Sequence, residues 1–283
     1  TTPTTPTAST STSTSASTSP YTYARPLEPY ADGPIELIPG VFLGAEHSVT
    51  PLSLWARGSF VRVMNVAQEI PNPFDDSKGE GRVNVNRHEL DGTRIDYCHL
   101  KWSHGEAGLA VLLPSASVQD VLQAEARAGS EDRWGFWNAI QWMEEGRRAG
   151  QPVLIHCQCG VSRSATLAIA YLMALAATGV LPDHLGHLST MQGVYDYVKA
   201  KSRWIGPNVS LVYQLLEFQK SLTGLLESYP EVEAIRTSFP KKADTEQSEA
   251  EWARRRKEFE DSDRLDEEAK RLDEEMKDRI RIR

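Results

Sequence analysis

The stretch Val153-Leu154-Ile155-His156-Cys157-Gln158-Cys159-Gly160-Val161-Ser162-Arg163-Ser164-Ala165-Thr166 sets a cysteine and an arginine at the two ends of a short loop. The apolar run before the loop reads as a buried strand. Ser164 to Ala177 is apolar nearly all round and reads as a buried helix. A loop that wraps ahead of a helix start points several backbone N–H groups inward, and such a cradle suits a tetrahedral oxyanion such as phosphate. Gly160 lets the backbone turn tightly. Arg163 offers a planar fork for two phosphate oxygens. A thiol facing a helix N-terminus and a guanidinium loses its proton readily; such cysteines fall to pKa ~3.5–7.5 from ~8.5. Cys157 would then be a thiolate at the floor of an anion site, placed to attack phosphorus and form a phosphocysteine. The amides and Arg163 would stabilise charge on the equatorial oxygens.

This scheme needs no metal and no cofactor. Cys157 and Cys159 have no second ligand pair at zinc-finger spacing. The competing structural reading is a buried cysteine beside a helix, with Arg163 in an ion pair. Cys, Gly, Ser, Arg and Ser in this order between a buried strand and a buried helix weigh against it. A Cys157–Cys159 bridge would be strained at so short a spacing, so Cys159 is read as a passive lining residue.

The rest of the chain must position this loop. Ile35 to Gly44 reads as two short strands around the Pro39-Gly40 turn. Leu52 to Gly58 is a candidate short helix, Phe60 to Val66 a buried strand and Ile95 to Leu100 another strand. Residues 75–81 are a polar loop. Phe136, Trp137, Ile140 and Met143 recur at helical spacing between Trp134 and Arg148, with Gly150 and Pro152 as the stop. Two more amphipathic helices are read over 190–202 and 208–222. Strands alternating with helices imply an α/β fold, a central twisted and mostly parallel sheet flanked by helices. The loop at 157–163 would lie at the carboxyl edge of that sheet, where such sheets place their sites.

Composition bounds the function. The 283 residues carry a formal charge of −8, which gives no sign of a nucleic-acid partner. No run of eighteen apolar residues occurs, so no membrane span is expected. Three cysteines, Cys98, Cys157 and Cys159, are too few for a disulfide framework and fit a reducing cytoplasm or nucleus. Residues 1–32, largely Thr, Ser and Pro at their start, read as a disordered arm with nothing to bury. From Lys241 to Arg283, 13 basic residues nearly balance 15 acidic ones, so the tail over 225–283 reads as a charged, partly helical segment.

Cys-x5-Arg with a preceding His and a following Ser resembles the signature of the protein tyrosine phosphatase superfamily. His156 to Ala165, with Ala170-Tyr171-Leu172-Met173, resembles its dual-specificity branch. Ile38-Pro39-Gly40-Val41-Phe42-Leu43-Gly44, Val63-Met64-Asn65-Val66-Ala67 and Ser202 to Ser210 resemble further parts of that domain in the right order. Cys159 and Trp204 look most like fungal MAP-kinase phosphatases. The resemblance covers about 33–224, with an insertion near 105–131. It implies a protein tyrosine phosphatase-like fold and a phosphorylated protein substrate, a MAP kinase. It implies Cys157 as nucleophile, Gln158, Cys159, Gly160, Val161 and Ser162 as the phosphate cradle, and Arg163 as the phosphate clamp. Ser164 would donate to the departing thiolate, and His156 and Asn208 would brace the loop. The cradle has no Lys among Gln158, Cys159, Val161 and Ser162, which favours a protein over a phosphoinositide.

The family's aspartate general acid has no match. Tyr97-Cys98-His99-Leu100-Lys101-Trp102-Ser103-His104 puts His104 at its position, and no Asp lies between Asp96 and Asp120. An imidazolium with pKa near ~6.5 can donate at neutral pH. Glu106 and Asp120 compete for the role, and a further reading has no acid at all and a slow enzyme or a phosphoprotein-binding module.

Overall fold

The computed structural model describes residues 28–75, 81–111, 134–181, 185, 188 and 190–227. Asp120, most of the expected insertion and the charged tail lie outside the described residues.

Six strands form one sheet: β1 (Ile35–Ile38), β2 (Val41–Gly44), β3 (Phe60–Asn65), β4 (Val83–Leu90), β5 (Thr93–Leu100) and β6 (Val153–His156). Their order is β1-β2-β6-β3-β5-β4. The pairs β2–β6, β6–β3 and β3–β5 are parallel, while β1 and β4 close the two edges antiparallel. Four α-helices are described: α1 (Phe136–Arg148), α2 (Arg163–Ala177), α3 (Met191–Lys201) and α4 (Val209–Glu227). The α/β expectation, a mostly parallel sheet flanked by helices, is what the structure has.

Period-two alternation sorts the strands' side chains. Val41, Leu43, Met64, Cys98, Leu100, Val153 and Ile155 face the side where all four helices pack. Phe42, Val61, Val63, Ile95, Tyr97 and Leu154 face the other side, covered by Val49, Leu52 and Trp55 of a short irregular segment. Leu52 to Gly58, read from sequence as a helix, is only a 3-10 turn over Leu52–Leu54. Each fully buried Leu, Ile or Val on either face contributes roughly 1.5–3 kcal/mol of burial. Both faces are thus held chiefly by apolar contact.

The β4–β5 hairpin was not read from the sequence. Asp91 (φ 51°) and Gly92 (φ 74°) both take positive φ, the requirement of the tight two-residue hairpin turn that favours Asp-Gly. β4 itself alternates half-buried and exposed positions, as an edge strand does. Helix α2 is buried along nearly its whole length and forms the centre of the helical layer. On α1 the buried carboxylate of Glu144 accepts from Arg147, Arg148 and, at 2.6 Å, from the Tyr171 hydroxyl of α2. These partners satisfy a charge that would be costly to bury alone.

Candidate active site

Strand β6 ends at His156, the loop runs from Cys157 to Ser162, and α2 begins at Arg163. Because β6 lies between β2 and β3, the loop emerges in the middle of the parallel strands' carboxyl edge. Cys157 is buried, and its Sγ lies 3.1 Å from Ser164 Oγ in the first turn of α2. The Ser162 side chain does not cap that helix; its Oγ accepts instead from the Asn208 backbone N–H at 3.1 Å. The first amides of α2 therefore receive no cap from Ser162.

Three carbonyls of the loop are bound from outside. Gln158 O accepts from Glu46 N at 3.0 Å, Val161 O from Gly206 N at 2.9 Å, and Gly160 O from the Tyr30 hydroxyl at 2.9 Å. No described peptide bond is cis. In a trans peptide the N–H points opposite to the C=O of the same plane. The N–H groups of Cys159, Val161 and Ser162 therefore point away from those partners. Gly160 has φ 73°, and a Cβ there would lie 2.3 Å from Cε2 of Tyr30 and 2.6 Å from Gly44 O. Only glycine fits.

Arg163 is 1% exposed. Glu69 takes its guanidinium end-on, with Nη1 at 2.7 Å and a second bond from Nη2, and Nη1 also donates to Trp102 O at 3.1 Å. Burial pushes the Glu69 carboxyl up, but the hydrogen bonds and charge of Arg163 outweigh it and hold the group below its usual range. Glu69 is carried by the turn after β3. Asn65 anchors that turn through Ile70 O at 2.8 Å and Ala67 N at 2.9 Å, and His99 Nε2 donates to Ala67 O at 2.8 Å. This end-on grip leaves the orientation of the guanidinium fixed before any ligand arrives.

His156 is fully buried, and burial pulls its imidazole down to about 3, so the ring is neutral in the fold. Its Nδ1 lies 3.3 Å from Cys157 O, which only accepts, so Nδ1 carries the proton. Asn208 joins three segments. Its Oδ1 caps α4 by accepting from Leu211 N at 3.0 Å, its N–H donates to Ser162 Oγ, and its Nδ2 donates to His104 O at 2.8 Å. His104 is thereby tied to the loop through one residue, and its charge acts on Glu69. Its side chain is exposed. Glu106 is buried and already committed: it accepts from Ser103 N and Oγ, each at 2.9 Å, and pairs with Arg82 at 3.2 Å.

Sequence reasoning missed Tyr30, Glu46 and Glu69. None of them carries a local signal, since each meets the loop only through the fold. Tyr30 falls within residues 1–32, expected to be a disordered arm, yet it is buried and touches the loop.

Residues 134–221 match the family described as dual specificity phosphatase, catalytic domain. That stretch holds β6, the loop, α2, α3 and most of α4. The chain carries a dual specificity phosphatase catalytic domain. Among curated proteins it is similar to tyrosine-protein phosphatase pmp1 of Schizosaccharomyces pombe, 31% identical over 198 residues that cover 68% of this chain and 56% of that one. It is 30% identical to human dual specificity protein phosphatase 2 over 188 residues, covering 66% and 44%. It is 26% identical to tyrosine-protein phosphatase MSG5 of Saccharomyces cerevisiae over 195 residues, covering 69% and 30%. The chain thus spans about half or less of these relatives' length. Among solved structures, the crystal structure of DUSP15 is similar at a TM-score of 0.45 and 20% identity, over 70% of this chain and 96% of that one. Among the described residues, no helix is long and apolar enough to cross a membrane.

Proposed function

We propose that this protein hydrolyses phosphotyrosine and phosphothreonine or phosphoserine in a protein substrate through a phosphocysteine intermediate. The observation that carries the reading is the set of outward-bound carbonyls at Gln158, Gly160 and Val161. In this reading the three amides behind those carbonyls point toward the space above Cys157. A phosphoryl group held there would meet those amides and the side-on edge of Arg163, formed by Nε and Nη2, because Glu69 occupies the end-on edge.

In the first step the Cys157 thiolate attacks phosphorus. The bond to the Tyr, Thr or Ser oxygen breaks, and that oxygen takes a proton from His104 imidazolium. In the second step water attacks phosphorus, the P–S bond breaks, and His104 accepts a proton from the water. The Ser164 hydroxyl donates to the leaving sulfur, and the 3.1 Å separation suits that role. His104 is favoured over Glu106 because Glu106 is held by Arg82 and Ser103. His156 and Asn208 hold the loop and do not react. The domain boundaries in this reading are near 28 and 224, with the arm before and the charged tail after.

A MAP kinase as substrate rests on the likeness of the signature stretch, Cys159 and Trp204 to fungal MAP-kinase phosphatases. The three cysteines form no disulfide, which suits a cytoplasmic or nuclear setting. Hydrolysis of phosphotyrosyl and phosphothreonyl peptides by the wild type and by Cys157→Ser tests the reading. Turnover that survives in the serine variant would end it. A second reading, a phosphoprotein-binding module with slow turnover, draws on the exposed His104 standing where an aspartate is usual. A burst of product with trapped phosphocysteine, followed by almost no steady state, would select it.

A further inference from the structure

The geometry points to Tyr30 as a positioning residue for the oxyanion cradle, acting through the Gly160–Val161 peptide. The inference rests on the phosphatase reading above and adds to it a residue 130 positions away in the chain from the one it controls.

The Tyr30 hydroxyl has one proton. Gly160 O can only accept, so the proton goes there, at 2.9 Å, and Ser202 Oγ must donate to the Tyr30 oxygen, also at 2.9 Å. The ring is buried and fills the space beside Gly160 that a Cβ would need. The backbone of Tyr30 is held as tightly as its side chain. Its φ of 59° lies in the left-handed region, rare for a tyrosine, and its carbonyl accepts from Gly33 N at 2.9 Å and pairs with His47 Nε2 at 3.1 Å. Such a conformation persists only where the surroundings hold it.

What the hydroxyl controls follows from the glycine. Gly160 is the loop residue with the widest choice of backbone angles. The Gly160–Val161 peptide can rotate about its flanking bonds more easily than its neighbours. Rotation would turn the Val161 N–H out of the hollow and the Gly160 oxygen, a partial negative charge, into it. Tyr30 holds the carbonyl outward and so keeps the amide inward. Gln158 O and Val161 O have backbone donors from Glu46 and Gly206; Gly160 O relies on a side chain, which a single substitution can remove.

The test is Tyr30→Phe in the full chain, which keeps the ring and deletes the hydroxyl. Tungstate affinity, read by calorimetry, and kcat and KM on p-nitrophenyl phosphate are compared with wild type, alongside the melting temperature. Loss of one aligned amide is expected to weaken tungstate binding roughly five- to thirtyfold, with a similar fall in kcat/KM. A purely structural role would lower the melting temperature and leave tungstate affinity of the folded protein unchanged, and that result overturns the proposal. If Tyr30→Phe is too unstable to assay, Tyr30→His is measured in the same way: weaker tungstate binding is expected because the shorter ring does not carry its donor to Gly160 O, and wild-type affinity would overturn the proposal. Tungstate affinity at the wild-type level in Tyr30→Trp, whose donor lies elsewhere on the ring, would also overturn it. A wild type that binds tungstate without turnover sinks the phosphatase reading alone, because the affinity comparison still decides on Tyr30. A wild type that binds no tungstate sinks both.

Discussion

Glu69 grips Arg163 end-on, so the guanidinium that would clamp phosphate is oriented before any ligand binds. The pair is asymmetric. Arg163 is buried, while the Glu69 side chain is 30% exposed at the rim. Glu69→Gln keeps the shape and removes the charge. It is expected to lower kcat/KM by about tenfold to a hundredfold, since small misplacements of a clamping group cost on that scale. Steady-state kinetics on a phosphotyrosyl peptide check this; an unchanged kcat/KM would show that Arg163 orients without its partner.

The same pair sets an acid limit on stability. The folded Glu69 carboxyl titrates below its unfolded value of about 4.3. Its contribution is therefore present above that value and is lost as pH falls through the lower folded one. Urea melts of Glu69→Gln between pH 3 and 6 should show a flatter acid limb than wild type.

His156 acts over a higher window. Its unfolded pKa is near 6.5, and burial takes the folded one to about 3. Between those values the unfolded chain binds a proton that the native chain refuses. Stability therefore falls as pH drops from about 6.5 toward 3, with a slope of up to about 1.4 kcal/mol per pH unit from this group. His156→Gln should be less stable at pH 7.5 but show a shallower slope between pH 4 and 6.5. Denaturant midpoints across that range decide it.

His104 can be separated from its neighbours by leaving group. A Tyr phenolate, with pKa ~10, departs without help far more readily than a Thr alkoxide. His104→Ala should cut phosphothreonyl turnover by about a hundredfold or more and phosphotyrosyl turnover by much less. His104→Asp should shift the descending limb of the pH–rate profile toward lower pH. Equal losses on both substrates, with an unmoved limb, would remove His104 from the proton transfer.

Gly160→Ala meets backbone, not a flexible tip: the added Cβ would sit 2.6 Å from Gly44 O, at a positive φ. A cost of about 2–4 kcal/mol is expected, from strain and overpacking together. Thermal unfolding measures it, and a change under 1 kcal/mol, roughly the scale of a tolerated surface mutation, would mean the loop can shift aside.

The loop was legible because its information is local. A buried strand, a glycine, an arginine and a buried helix follow one another within two dozen residues, and each has its own chemical reason. Strand β4 is absent from the sequence reading: Asp91-Gly92 and the alternation from Val83 to Leu90 mark it, but its polar composition masks the strand. Tyr30 and Glu69 were not legible in the same way. Nothing adjacent to either residue states its purpose; one is buried by contact with Gly160 and Ser202, the other meets Arg163 across 94 positions. The asymmetric cover of the sheet was equally hidden, since alternation along a strand gives two faces without saying which one receives the helices.

The threads that close the loop run far along the chain: Tyr30 reaches Ser202 across 172 positions, and Asn208 reaches His104 across 104. Separation alone does not delay them, since β2 pairs Val41 with Val153 at a comparable distance along the chain and closure entropy grows only slowly; each is instead a single side-chain bond that needs both of its segments already in place. During refolding, a pocket able to bind an oxyanion should therefore emerge after the sheet and α2 have already assembled. Recovery of helical circular dichroism ought to run ahead of recovery of tungstate binding.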